Sequence, residues 1–339
     1  MYPNGARFAV QLSFDLETVT NFPYWTSFWN HRKGAIDQAT KVYVEQIINA
    51  KCEKYGAKAH YFLVGSMFED PDIDYLKKTV AAGHAVGNHT YTHVSIKAQE
   101  ISELAGVFTS APWRGAGRSA QDAVRQEIQM TTAAIKNCLG VEPKGFRSPG
   151  GFQNGLQDTE YVQKMLQEEG FWWVSTHYND GLFADHYRAG SVDSVYKVDV
   201  STMISAFNKS EQILQPYQYE CGLLELPLAG ITDVVAWRGY GTDLGDWLRM
   251  LSAGVDYAHE HGLIFNLTTH PAVLASIDPF GQTIDVIMRR AMEKEGGVWL
   301  PDLEEVALHL KNSGSNRKPV NLENGSQSGS GIPIGKTYS

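Results

Sequence analysis

Two histidines four residues apart, His89 and His93 in Gly87-Asn88-His89-Thr90-Tyr91-Thr92-His93, open the chemical reading of this chain. On one helical turn residues i and i+4 share a face, so two imidazoles at that spacing can hold one divalent cation. The competing reading is a pair of structural histidines, and the surroundings argue against it. An apolar run at 61–64 ends upstream, a helix-like segment over 72–82 leads into Gly83, and residues 84–86 read as a short strand. The pair therefore sits at a strand end, where α/β proteins build their sites. Asp15 and Glu17 also close an apolar, β-prone run, at 7–14, and on a strand i and i+2 point the same way, toward one possible site. The plain alternative is that they cap the next helix. Arg147, in Phe146-Arg147-Ser148-Pro149, and His270, in Thr269-His270-Pro271, end two further strand-like runs.

The elements that would position these residues alternate in type. An aromatic stretch with Phe22, Tyr24, Trp25, Phe28 and Trp29 is either a packed lid or a wall facing a substrate. Val44, Ile47, Ile48, Cys52 and Tyr55 recur at helical spacing, and Gly56 ends that helix before a strand over 58–64. Residues 95–140 read as helical, broken by a loop at 109–117 that carries Trp113 and Arg114; Ser119 caps the resumed helix and Gly140 stops it. Strands are predicted at 144–148, 171–177, 223–227 and 263–268, and helices over 158–169, 243–261, 283–295 and 302–310. Neither Gly115-x-Gly117 nor Gly239-x-Gly241 has the third glycine of a dinucleotide loop. Strand–helix alternation throughout argues an α/β fold with a largely parallel sheet covered by helices. Asp15, Glu17, His89, His93, Arg147 and His270 all fall at or just past C-terminal strand ends, and a barrel would bring those ends to one mouth.

The chain has 339 residues, 43% hydrophobic and 20% charged, enough for a large core. Its net charge of −9 shows no basic patch for nucleic acid. The odd count of three well-separated cysteines fits reduced thiols better than a disulfide framework. No stretch approaches the roughly 20 apolar residues of a membrane span, and the first residues resemble no signal peptide. The expectation is a cytoplasmic protein with no nucleic-acid or membrane partner, acting on a small-molecule or glycan substrate, and a possible homo-oligomer. Residues 1–311 read as one domain. The Ser/Gly/Asn-rich tail, 312–339, has the composition of a disordered segment or one that docks on the body or a neighbour.

Four of these segments together resemble the polysaccharide deacetylase (NodB-homology) family. Ser13-Phe14-Asp15-Leu16-Glu17 is similar to its first motif, Gly87 to His93 to its metal-binding motif, Phe146 to Gly150 to its Arg-x-Pro motif, and Leu267-Thr268-Thr269-His270-Pro271 to its last. The His-Pro form, with Leu224-Glu225-Leu226-Pro227, resembles the branch of peptidoglycan-deacetylase-like proteins and allantoinase-like cyclic amide hydrolases. The resemblance covers roughly residues 5–310 and implies a distorted (β/α) barrel of about seven strands. It further implies Asp15 as general base, His89 and His93 as metal ligands, Arg147 as the group that holds Asp15, and His270 as general acid. Glu17 stands where this branch places a metal-binding Asp. The Asp-Trp of the fourth motif is missing, its strand reading Trp173-Val174-Ser175-Thr176-His177, and the loop with Trp113 and Arg114 is longer than in the family. Trp25, Trp113, Arg114, Pro149 and His177 are the candidates to meet substrate. The remaining histidines are assigned structural roles.

The implied cofactor is one divalent ion, Zn²⁺ in the first instance, with Co, Ni or Mn as alternatives. Such an ion polarises an amide carbonyl and lowers the pKa of a water to about 7, and two His with one carboxylate leave coordination positions open. Asp15 and His270, with ordinary pKa values of about 3.9 and 6.5, suit a base and an acid working together. No Gly-x-Ser-x-Gly elbow competes. Three functions follow: N-deacetylation of an N-acetylated sugar or glycan, ring opening of a cyclic amide or imide, and metal-stabilised carbohydrate binding without turnover.

Overall fold

The computed structural model describes residues 2–18, 36–104, 115–178, 199–209, 215–230, 232–239 and 241–314. Apolar alternation and strand-ending glycines and prolines produce β1 (Phe8–Leu16), β2 (Ala59–Leu63), β3 (Ala85–Asn88), β4 (Gly145–Phe152), β5 (Trp173–His177), β6 (Tyr217–Gln218), β7 (Leu224–Glu225), β8 (Ile264–Thr269) and β9 (Val298–Trp299). One sheet holds them in the order β6-β7-β5-β4-β3-β2-β1-β8, with β9 on β1. The path β7-β5-β4-β3-β2-β1-β8 is parallel throughout, the expected set of about seven strands. The two-residue β6 lies antiparallel on β7, and the two-residue β9 lies on the other end of β1.

The ends of this path meet without a regular ladder. The Ala229 N–H donates to the Asn266 carbonyl at 2.9 Å, and Asn266 Nδ2 donates to the Pro227 carbonyl at 3.0 Å. The Gln215 side chain takes the place of a peptide unit, accepting from Ile264 N–H (3.1 Å) and donating to Ile264 carbonyl (3.2 Å). Pro227 cannot donate to a ladder, so pairing stops there and side chains complete the closure. This is what makes the barrel distorted.

The period of two on β1 separates two environments. Val10, Leu12, Phe14 and Leu16 face the helices and join a core with Tyr43, Val44, Ile48, Tyr61, Leu63, Trp247, Leu251, Ile284 and Met288. Ser13 and Asp15 alternate with them, in register with His60 and Phe62 on β2, and Ser13 is in register with Thr268 on β8. The inner face is therefore polar toward the strands' C-terminal ends. At the opposite end Leu303, Val306 and Ala307 pack against Ala9, Trp173, Leu224 and Ile264 and seal the barrel. Trp173 fills that end so fully that a Cβ on Gly145 would lie 1.9 Å from its ring, which requires glycine at 145.

Helix signals in the sequence land within a few residues. Ser119 caps Ala120–Leu139, Asp243 caps Leu244–His261 and Asp302 closes a capping box on Leu303–Ser313, while left-handed Gly56, Gly140 and Gly262 terminate their helices. Three expectations change. The helix over 38–55 is wound as a π-helix in its middle, Tyr43–Asn49. Residues 95–100 are loop, and only Ile101–Leu104 is helical before 104. A helix at Val200–Lys209 carries no strong sequence signal and was not predicted. The three cysteines are free thiols. No described helix is long and apolar enough to cross a membrane.

A candidate metal-centred active site

Asp15, at the end of β1, is 7% exposed and accepts a 2.8 Å hydrogen bond from Arg147 Nη1. Arg147 lies on β4, and its Nη2 donates to Ser13 Oγ and Ser175 Oγ, each at 3.0 Å. The guanidinium also sits 4.1 Å over the Phe62 ring. Three neighbouring strands thus fix the charge that β4 carries, and that charge fixes the Asp15 carboxylate. The helix-cap alternative for Asp15 does not hold, because its carboxylate is engaged inside the barrel mouth.

Glu17, just past β1, is 5% exposed, and its Oε1 lies 3.2 Å from His93 Nε2, 3.7 Å from His89 Nε2 and 3.4 Å from His270 Nε2. Burial works against its charge, but the surrounding histidines win and hold the carboxyl well below its ordinary range. His89 Nδ1 lies 3.0 Å from the Arg147 carbonyl. A carbonyl can only accept, so Nδ1 carries the proton and Nε2 presents a lone pair. Among the described residues His89 Nε2 and Glu17 Oε2 are buried with no hydrogen-bond partner, as the ligand atoms of a metal site would be. Glu17, His89 and His93 offer atoms within 4.8 Å of one another, a donor set that suits Zn²⁺ with positions left open.

The two histidines do not share a helical turn, contrary to the sequence reading. Residues 89–95 are loop, and Thr90 and His93 have positive φ, 60° and 62°. The left-handed backbone at these two positions, rather than helical spacing, brings the imidazole centroids to 5.0 Å. Asn88 starts the turn by accepting the Thr90 N–H at 2.9 Å, and Thr90 Oγ1 accepts the Val94 N–H at 3.1 Å.

His270 reaches the same centre from the end of β8. Its Nδ1 is 2.7 Å from Asp233 Oδ1, and its backbone N–H donates to Asp233 Oδ2 at 2.7 Å. Burial disfavours the imidazolium, yet the Asp233 carboxylate and then Glu17 raise the His270 pKa well above its usual value. Asp233, 0% exposed, is a residue that sequence reasoning missed. It follows Pro227 in a stretch without periodicity, and only its distance from His270 in space reveals it.

Of the candidates to meet substrate, Pro149 is buried in β4, and His177, 4% exposed at the end of β5, bonds through Nδ1 to the Tyr217 hydroxyl at 3.1 Å. Tyr217, Tyr219, Glu225 and Thr176 continue that chain inward, and burial lowers the His177 pKa to about 4. Trp25, Trp113 and Arg114 lie outside the described residues, as do the other aromatics of 22–29 and positions 315–339 of the tail.

Residues 36–170 match the polysaccharide deacetylase family model. A bifunctional xylanase/deacetylase of Pseudobutyrivibrio xylanivorans is 29% identical over 97 residues, 29% of this chain and 13% of that protein. In three dimensions the chain is similar to a putative polysaccharide deacetylase from Mycobacterium smegmatis (TM-score 0.64, 16% identity, 96% of this chain and 97% of that one). It is also similar to Puue allantoinase (TM-score 0.57, 13% identity, 92% and 93%). At these identities the structural likeness speaks for the fold. The match at 36–170 includes His89, His93 and Arg147 but stops short of Asp15, Glu17, Asp233 and His270, which the barrel brings to the same place. The stretch from 36 to 170 thus matches the polysaccharide deacetylase family model, and the chain as a whole has the α/β fold of its deacetylase and allantoinase neighbours.

Proposed function

We propose that this protein is a metal-dependent hydrolase of a non-peptide C–N amide bond, acting to remove the acetyl group from an N-acetylated sugar or glycan. One observation carries the reading. A cluster of metal-type ligands, Glu17, His89 and His93, lies between an Arg-held carboxylate, Asp15, and an Asp-held imidazole, His270. Glu17, His89 and His93 would hold the ion, which, when bound, supplies Lewis acidity toward an amide carbonyl and toward water. Asp15 takes the proton of the attacking water, and the hydrogen bond from Arg147 keeps it aimed. His270 faces the ligand cluster with Nε2, and Asp233 behind Nδ1 supports the imidazolium that gives its proton to the departing nitrogen. Asp15, Glu17 and His89 are buried, and the low dielectric around them strengthens these interactions.

A second reading, ring opening of a small cyclic amide, is favoured by the likeness to Puue allantoinase and by the absence of Asp-Trp on β5. Both readings use the same residues, and substrates separate them. The test is elemental analysis of the purified protein, with acetate release from chitooligosaccharides measured beside ring opening of succinimide and hydantoin. The first reading expects about one divalent ion per chain and acetate release that a chelator abolishes. Ring opening without acetate release would replace it with the second. A metal-loaded protein inert to every substrate would point to binding without turnover.

A further inference from the structure

The loop that carries both candidate histidine ligands has a backbone its residues disfavour. Thr90 and His93 sit at φ of 60° and 62°, a region that residues with a side chain rarely adopt. Something outside the loop must oppose that strain. The helix Ala120–Leu139 does so. Its Glu127 is 0% exposed, and Glu127 Oε2 accepts both the Thr92 backbone N–H (2.6 Å) and the Thr92 hydroxyl (2.9 Å). On the same helix, the carbonyl of the next residue, Ile128, and the Thr132 hydroxyl take the Asn88 amide at 2.8 and 3.0 Å, pinning the strand residue that leads into the loop. Thr92 immediately precedes His93, so the carboxylate grips the chain one bond before the second ligand.

We propose that Glu127 is the positioning residue of this loop: it holds Thr92 so that His93 keeps its left-handed backbone and presents Nε2 to Glu17 before any metal arrives. The inference rests on the reading of Glu17, His89 and His93 as ligands. A charge-assisted pair of bonds to a buried carboxylate is stronger than neutral ones, which suits a group that must offset backbone strain. Without it, His93 relaxes toward negative φ and its ring leaves the position 3.2 Å from Glu17. Metal binding then has to reorder the loop, and affinity falls although every ligand is still present. Because residue 92 needs only its backbone N–H and a hydroxyl to meet Oε2, a serine at 92 keeps the latch.

The test measures Zn²⁺ affinity by chelator competition for the parent, Glu127→Ala, Thr92→Ser and Thr92→Val, together with exchange of the residue-92 and His93 amide protons in the metal-free proteins. Glu127→Ala is expected to bind Zn²⁺ about 10–100-fold more weakly and to speed both exchange rates. Thr92→Ser, which keeps both donors, is expected to stay close to the parent in both. Thr92→Val, which loses only the hydroxyl bond, falls in between and decides the matter if Glu127→Ala does not fold. Parent-like affinity in Glu127→Ala, or in Thr92→Val where the former is unfolded, overturns the proposal. So does a Thr92→Ser defect as large as that of Thr92→Val, which would make the methyl group rather than the latch responsible. A parent that binds no Zn²⁺ defeats the metal reading instead, and the amide exchange of metal-free Glu127→Ala still tests the latch: unchanged exchange refutes it.

Discussion

Replacing Asp233 with Asn removes a charge and one acceptor from a carboxylate that has no exposed surface. Asp233 Oδ1 receives the Val234 N–H at 2.9 Å and the His270 ring at 2.7 Å, and Oδ2 receives the His270 backbone N–H at 2.7 Å. Asparagine has one acceptor oxygen for these three donors. With that oxygen at the Oδ1 position the ring and Val234 stay satisfied, but the NH₂ faces the His270 N–H. The reverse orientation sets the NH₂ against both Val234 and the ring. At least one buried N–H is orphaned either way, which costs about 1–3 kcal/mol of stability. That loss is read from urea denaturation of the metal-free protein, where no ion contributes. The catalytic effect is separate. His270 loses the anion that supports its proton, and loss of general-acid help costs about 10²–10⁴ in kcat with KM little changed. Initial rates on whichever substrate the paired assays identify supply this number. An Asn variant as stable and as fast as the parent would show that neither the hydrogen-bond accounting nor the acid assignment is right.

Asp15→Asn is expected to cut kcat by about 10²–10⁴ while bound metal stays at the parent level, because the amide oxygen can still meet Arg147 but cannot accept a proton from water; loss of metal would move Asp15 into the ligand set. Glu17→Gln is expected to weaken metal binding and Glu17→Asp to keep most of it, since charge matters more to a ligand than one methylene, and equal affinities for the two would remove Glu17 from direct contact. Burial, with Lys58 nearby, pushes the His84 imidazole down to about 4, and its Nδ1 accepts the Ala59 N–H at 3.2 Å. The unfolded imidazole titrates near 6.5, so the unfolded chain takes the proton first and this contribution to stability falls as pH drops from about 6.5 to about 4. His84→Gln should flatten that limb of a plot of urea midpoint against pH, and an unchanged slope would reject the assignment.

Much of the frame was legible because its signals are local. Alternation along 8–16 set Asp15 apart from Phe14 and Leu16, and Ser119, Asp302, Gly56 and Gly140 mark helix ends by hydrogen bonds and backbone angles within a turn. The placement of acids, histidines and Arg147 at strand ends needed only the strand boundaries. The parallel sheet then brings those ends to one mouth, and so the candidate site was readable before any distance was known.

Tertiary structure decided what depends on residues far apart in the chain. The spacing of His89 and His93 suggested a helix, but the bonds of Asn88 to Ile128 and Thr132 and of Thr92 to Glu127 hold a left-handed loop instead. Local propensity opposes that loop, so no local pattern could announce it. Asp233 pairs with His270 across 37 positions, and Gln215 completes β8 across 49. Nothing in the composition around Asp233 or Gln215 distinguishes them from ordinary surface residues. Their roles exist only because closure of the barrel leaves one donor unpaired beside His270 and one strand edge unpaired at Ile264, and a buried polar group must find a partner wherever in the chain it comes from.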